Sequence, residues 1–183
     1  VDVSAYIIVL ESDANAHIEV NATELTTVTE CKNSNQDNCW YQHGTGLTPT
    51  DHAAEMESEG KDVIMAMNAG FFMLSAECYA PWGLQISNGV VSREPSDKTD
   101  SLKKYSNWFG VTKDGAPVIS DMATYYSTYQ GNLSQGVCAR YIGIKDGKYK
   151  QYTSTAYDAR TAIGYNSEGD VVMVVVPGDN TDA

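Results

Sequence analysis

The sequence has no apolar run approaching the roughly 20 residues that a membrane-crossing helix needs, so no membrane span is expected. Positive charge is scarce. Twelve Lys and Arg stand against 24 Asp and Glu, a formal net charge of −12. That field repels phosphate backbones and leaves no basic stripe, which excludes nucleic acid from the expected partners. Only three histidines occur, His17, His43 and His52, and they are scattered. No Cys-x-x-Cys pair is present. Zinc and dithiol redox chemistry both lack their usual spacing, so neither a metal nor a cofactor is expected.

With 183 residues, 42% hydrophobic and 20% charged, the chain reads as one folded domain over residues 1–183. The four cysteines are read as two structural bridges. Cys31 and Cys39 bracket "CKNSNQDNC", a loop that a disulfide closes easily, and Cys78 with Cys138 makes the second expected pair. Asn21-Ala-Thr and Asn132-Leu-Ser are glycosylation sequons, triplets that also arise by chance. The chain begins with Val1 rather than Met, as it would after removal of a signal peptide, although an arbitrary start gives the same pattern. With 12 Tyr and abundant Ser, Thr and Asn, the expectation is a secreted or extracellular glycoprotein.

The hydrophobic pattern predicts a β-rich α+β fold of mostly antiparallel strands and hairpins with one or two helices. "AYIIVL" (5–10) reads as a buried strand, and "HIEV" (17–20) as its hairpin partner. Residues 21–47 read as loop with short strands. "TPTDHAAEMESEGKD" (48–62) predicts a helix, with Thr48 as cap, Pro49 in the first turn, Asp51 three residues after the cap and Gly60 as stop. Strands follow at "VIMAM" (63–67), "GLQI" (83–86), "GVVS" (89–92), "WFGVT" (108–112), "APVI" (116–119), "VCARYIGI" (137–144), "KYKQY" (148–152), "RTAIGY" (160–165) and "VVMVVV" (171–176). Asn88-Gly89, Asp114-Gly115, Asp146-Gly147 and Glu168-Gly169 supply turns between them. "REPSDKTDSLKK" (93–104) reads as a charged surface loop.

Two stretches carry candidate chemistry. In "VIMAMNAGFF" (63–72) an apolar run meets a small-residue corner, where Ala69 and Gly70 allow close backbone approach and Asn68 offers a donor and an acceptor. A tight turn with Phe71 and Phe72 in the core explains the same residues. In "DARTAIG" (158–164) Arg160 opens a strand, and a guanidinium fork beside an amide corner suits an anionic oxygen as well as a surface ion pair. Spacing leaves both alternatives open.

"MNAGFFMLSAECYAPWGLQISNGVVSREP", "NWFGVTKDGAPV", "GVCARYIGIKDGKY" and "DARTAIGYNSEGDVVMVVVPGD", in that order over roughly residues 62–178, resemble the phosphodiester glycosidase family. That family includes the lysosomal enzyme that uncovers mannose 6-phosphate by removing N-acetylglucosamine. The resemblance implies hydrolysis of a sugar-1-phosphodiester, with Asn68, Gly70, Arg160 and Thr161 as catalytic positions that converge on one cleft. Arg160 would neutralise the phosphodiester. Separately from the resemblance, the aromatic excess suits a sugar-stacking surface, with Phe72 and Trp82 as the sugar contacts, and equally suits core or interface packing. Asp158 receives no role, since it could equally pair with Arg160. The family's later Asp-Gly-Gly-Gly-Ser-Ser stretch has no counterpart here, and Pro177-Gly178-Asp179 stands where Asp-Gly is usual. A site lacking that wall is expected to be weak or inactive in this chain alone. The alternative expectation is an inactive extracellular module that binds glycan or assembles into a filament or homo-oligomer through its terminal apolar strands.

Overall fold

The computed structural model describes residues 4–21, 28–32, 38–42, 47–75, 78–94, 105–152 and 159–178. Its elements in chain order begin with β1 (Tyr6–Leu10), β2 (Val28–Lys32), β3 (Asn38–Gln42), α1 (Pro49–Ser58), β4 (Phe72–Ser75) and β5 (Cys78–Pro81). They continue with β6 (Gln85–Ser87), β7 (Val90–Arg93), β8 (Asn107–Thr112), β9 (Pro117–Asp121) and a short α2 (Met122–Thr124), which a π-helical turn (Tyr125–Tyr129) prolongs. The last strands are β10 (Leu133–Ala139), β11 (Ile144–Lys145), β12 (Lys148–Tyr149), β13 (Arg160–Tyr165) and β14 (Val171–Val176). The fold is β-rich α+β with antiparallel pairing. Among the described residues a five-stranded sheet has the order β7-β6-β10-β8-β9, a three-stranded sheet the order β1-β14-β13, and three further pairs are two-stranded.

Local sequence accounts for most of these elements. The Thr48 hydroxyl accepts from the Asp51 amide and the Asp51 carboxylate accepts from the Thr48 amide, a reciprocal cap that starts α1 with Pro49 in its first turn. Asn88 and Gly89 both take positive φ, 49° and 78°, which matches the right-handed twist of the β6–β7 hairpin. Asp146 and Gly147 repeat this between β11 and β12, at 53° and 69°.

The five-stranded sheet buries both faces of its central strands. On one face Ile86, Trp108 and Leu133 pack with Leu84 against Met122 and Tyr125 of the helical segment. Asp121 caps that segment by accepting from the Thr124 amide at 2.9 Å. On the other face Gln135 is buried at 6% exposure, and its Oε1 accepts from Val20 N–H at 3.0 Å. Segment 15–20 is thereby fastened across this second face.

Two expected strands have other roles. His17–Val20 does not pair with β1. Five successive residues of β1 instead take register partners in β14, from Tyr6↔Val175 to Leu10↔Val171, a longer apolar ladder than "HIEV" could offer. Residues 63–67 keep the alternation of a strand, with Val63, Met65 and Met67 half-buried and Ile64 71% exposed. No ladder among the described residues includes them; they bend at Ile64 and line a cavity together with Phe109 and Val137 of the second sheet face. The short strands expected in 21–47 are β2 and β3, whereas most of the charged loop 93–104 lies outside the described residues.

The expected Cys78–Cys138 bridge is not formed: Cys138 is a free, buried thiol. Its Sγ is engaged elsewhere, accepting from Phe71 N–H at 3.3 Å. Burial pushes this thiol up from its ordinary pKa, so it stays protonated and inert. Cys31 and Cys39 are direct register partners of β2 and β3. Opposed antiparallel Cα atoms lie roughly 4.5–5.5 Å apart, within bridging reach. The side chains of Cys31, Cys39 and Cys78 lie outside the described residues. Cys138 is expected to resist an alkylating reagent in the native protein and to gain its adduct only after denaturation without reductant, as read by mass mapping of the peptide that carries it. Rapid native labelling at Cys138 would contradict the buried placement.

Candidate functional site

Between the second face of the five-stranded sheet and the three-stranded sheet lies a cavity of about 720 Å³. Phe109 and Val137 line it from β8 and β10, and Ile8, Ile163 and Met173 from β1, β13 and β14. The last three are cross-strand partners, so they share one sheet face by register. The helix α1 adds His52 and Met56, and the segments 15–21 and 61–71 close the remaining sides.

The expected corner stands in this wall. Asn68, Ala69, Gly70 and Phe71 all line the cavity. Gly70 has φ 69°, the left-handed region that favours glycine, and a Cβ there would stand a tight 3.3 Å from Cys138 Sγ. Gly83 lets Cys138 approach from behind, since a Cβ on Gly83 would come within 2.2 Å of Cys138 Cβ. The corner is thus held against β10 through Cys138. Trp82 does not line the cavity. It supports the corner instead, donating its amide to Phe71 carbonyl at 2.8 Å and meeting Tyr105 edge-on at 5.2 Å, while Tyr105 meets Phe71 at 4.9 Å. Phe72 opens β4, and its side chain lies outside the described residues.

Arg160 and Thr161 stand at the start of β13, ahead of the cavity-lining Ile163. Strand alternation gives Thr161 the same face as Ile163 and turns Arg160 toward the opposite face. Both are exposed, and the Arg160 guanidinium donates to the Ala159 carbonyl at 2.9 Å. The structure therefore brings the Asn68 corner and the β13 strand to one cavity without placing Arg160 or Thr161 in its lining. Asp158 lies outside the described residues.

A polar chain in the cavity wall escaped the sequence reading. Lys61 Nζ donates to Glu19 Oε1 at 2.7 Å, and His17 Nε2 lies 3.9 Å from Glu19 Oε2. Burial pushes the Glu19 carboxyl up, but hydrogen bonds from Lys61 and Asn88 and the charges of Lys61 and His17 outweigh it and hold the group below its ordinary 4.5. Glu19 is therefore an ionised carboxylate at neutral pH, only 14% exposed. His52 Nδ1 is buried without a hydrogen-bond partner among the described residues and faces Glu55 Oε2 at 3.8 Å. Glu19 and Lys61 are 42 positions apart, and no local pattern in the sequence marks such a pair.

Among the described residues, no group of three His, Cys, Asp or Glu is placed to hold a metal ion, and no helix is long and apolar enough to cross a membrane. Compared with known proteins, residues 61–183 match the phosphodiester glycosidase family. No curated protein matches the chain.

Proposed function

Because the chain belongs to the phosphodiester glycosidase family, we propose that it hydrolyses a sugar-1-phosphodiester of the N-acetylglucosamine type in a secreted or extracellular setting. In that reaction the sugar C1–O bond breaks and its electron pair leaves with the phosphomonoester. Water supplies the new hydroxyl at C1 and gives up a proton to the departing phosphate or to solvent. A phosphate ester is a weakly basic leaving group, so little general-acid assistance is required.

The observation that carries this reading is the Asn68–Phe71 corner in the cavity wall. The Asn68 amide would hydrogen-bond the sugar or the departing oxygen, and the glycine backbone would let the substrate approach closely. Lys61 brings positive charge to the same wall, balanced by Glu19. Arg160 would reach the phosphodiester only from the start of β13, and Thr161 would flank it there.

A second reading, an assembly module, draws on the exposure of Tyr6, Ile7 and Val9 on β1, at 67%, 60% and 55%. One experiment separates the two. The purified chain is incubated with an N-acetylglucosamine-1-phosphodiester, released sugar is measured, and gel filtration is run on the same sample. Release by a monomer is the expected result. No release, together with concentration-dependent assembly, would replace the hydrolase by the module.

A further inference from the structure

Four methionines, Met56, Met65, Met67 and Met173, converge on the cavity from α1, the segment 61–71 and β14. Ile8 and Ile163 extend the same apolar lining across the three-stranded sheet. Such a wall suits the reacting sugar poorly, because hydroxyls placed there would lose water without gaining partners. It suits a flexible hydrocarbon well, since unbranched thioether side chains adjust to an irregular apolar surface. At about 720 Å³ the cavity is also in the size range that encloses most of a drug-sized ligand. The polar groups in its wall, Asn68 and the His17–Glu19–Lys61 chain, are of the kind that a sugar phosphate engages.

We infer that the substrate of this site carries an apolar aglycone, an alkyl or isoprenoid chain esterified to the phosphate, and that the methionine-lined cavity holds that chain. The inference rests on the hydrolase reading above and names the substrate class for it. Hydrolysis then yields free sugar and an alkyl phosphate, with the chain still seated after the C1–O bond has broken.

The test uses a series of N-acetylglucosamine-1-phospho-n-alkyl esters from methyl to decyl, with calorimetry of decyl phosphate and methyl phosphate below the micellar concentration. Values of kcat/KM are expected to rise roughly fourfold for each added methylene until the cavity is filled, the fold-change corresponding to burial of one CH₂. Decyl phosphate is expected to bind far more tightly than methyl phosphate. Met56→Glu, which places a charge in the lining from a good helix-forming position, is expected to flatten the series, lowering decyl-ester turnover far more than methyl-ester turnover. Met65→Gln is a second variant that keeps the test decisive if the first unfolds. A flat series in the wild type, equal binding of the two phosphates, or an unchanged slope in a folded variant would overturn the apolar-aglycone assignment alone. Tight decyl phosphate binding that Met56→Glu abolishes, with no ester hydrolysed, would overturn the hydrolase reading and retain the apolar site.

Discussion

Asn68→Ala is expected to lower kcat for sugar release by about 10²–10³-fold, the loss that follows removal of one preorganised donor from a site that stabilises developing charge. The side chain lines the cavity at a corner whose backbone is fixed independently, by the Phe71 amide on Cys138 Sγ and by Trp82 on the Phe71 carbonyl. Truncation at Asn68 therefore removes the amide without moving the corner. Asn68 is exposed, so the unfolding midpoint should change little. Sugar release and thermal unfolding on the same sample check both halves. A variant that is equally stable and equally active would remove Asn68 from the site.

Trp108→Ala is expected to cost about 3–5 kcal/mol of stability, the usual range for truncating a buried aromatic. Trp108 is fully buried in β8. Its indole N–H donates to the Asp121 carbonyl at 2.8 Å, joining β8 to the cap of α2. Its ring meets Tyr125 at 6.1 Å and Tyr129 at 5.4 Å, both edge-on, so a single truncation weakens the sheet, the cap and the π-helical turn together. A domain of this kind has roughly 5–15 kcal/mol in total, so the variant should sit near its unfolding threshold. Denaturant titration measures the change, and a midpoint within experimental error of the wild type would contradict the core assignment.

These two positions show what the sequence could and could not reveal. The Thr48–Asp51 cap and the Asn88-Gly89 turn are written in neighbouring residues, and both formed as expected because a few backbone dihedrals decide them. The corner at 68–71 was visible for the same reason: Gly70 takes φ 69°, a conformation that glycine adopts without strain. Choices between distant partners were not visible. "HIEV" and "VVMVVV" are both acceptable neighbours for β1, and the longer apolar ladder won. The "VIMAM" alternation signals extended chain but does not reveal whether a ladder receives it. Cys138 looked like half of a bridge because cysteine count carries no information on burial, whereas its Sγ is committed to Phe71. Within the site, Glu19 and Lys61 meet through tertiary folding alone, and Arg160 was placed by resemblance on a strand whose alternation turns it from the cavity.

The most direct test of the site is a crystal structure of the chain with a non-hydrolysable phosphonate analogue of an N-acetylglucosamine-1-phosphodiester. The expected result is the analogue inside the cavity, its sugar or phosphonate within hydrogen-bond distance of the Asn68 amide, and no such density in crystals of Asn68→Ala. Density on the outer face of the three-stranded sheet, or an identical pose in the Asn68→Ala crystals, would contradict the assignment of this cavity as the active site.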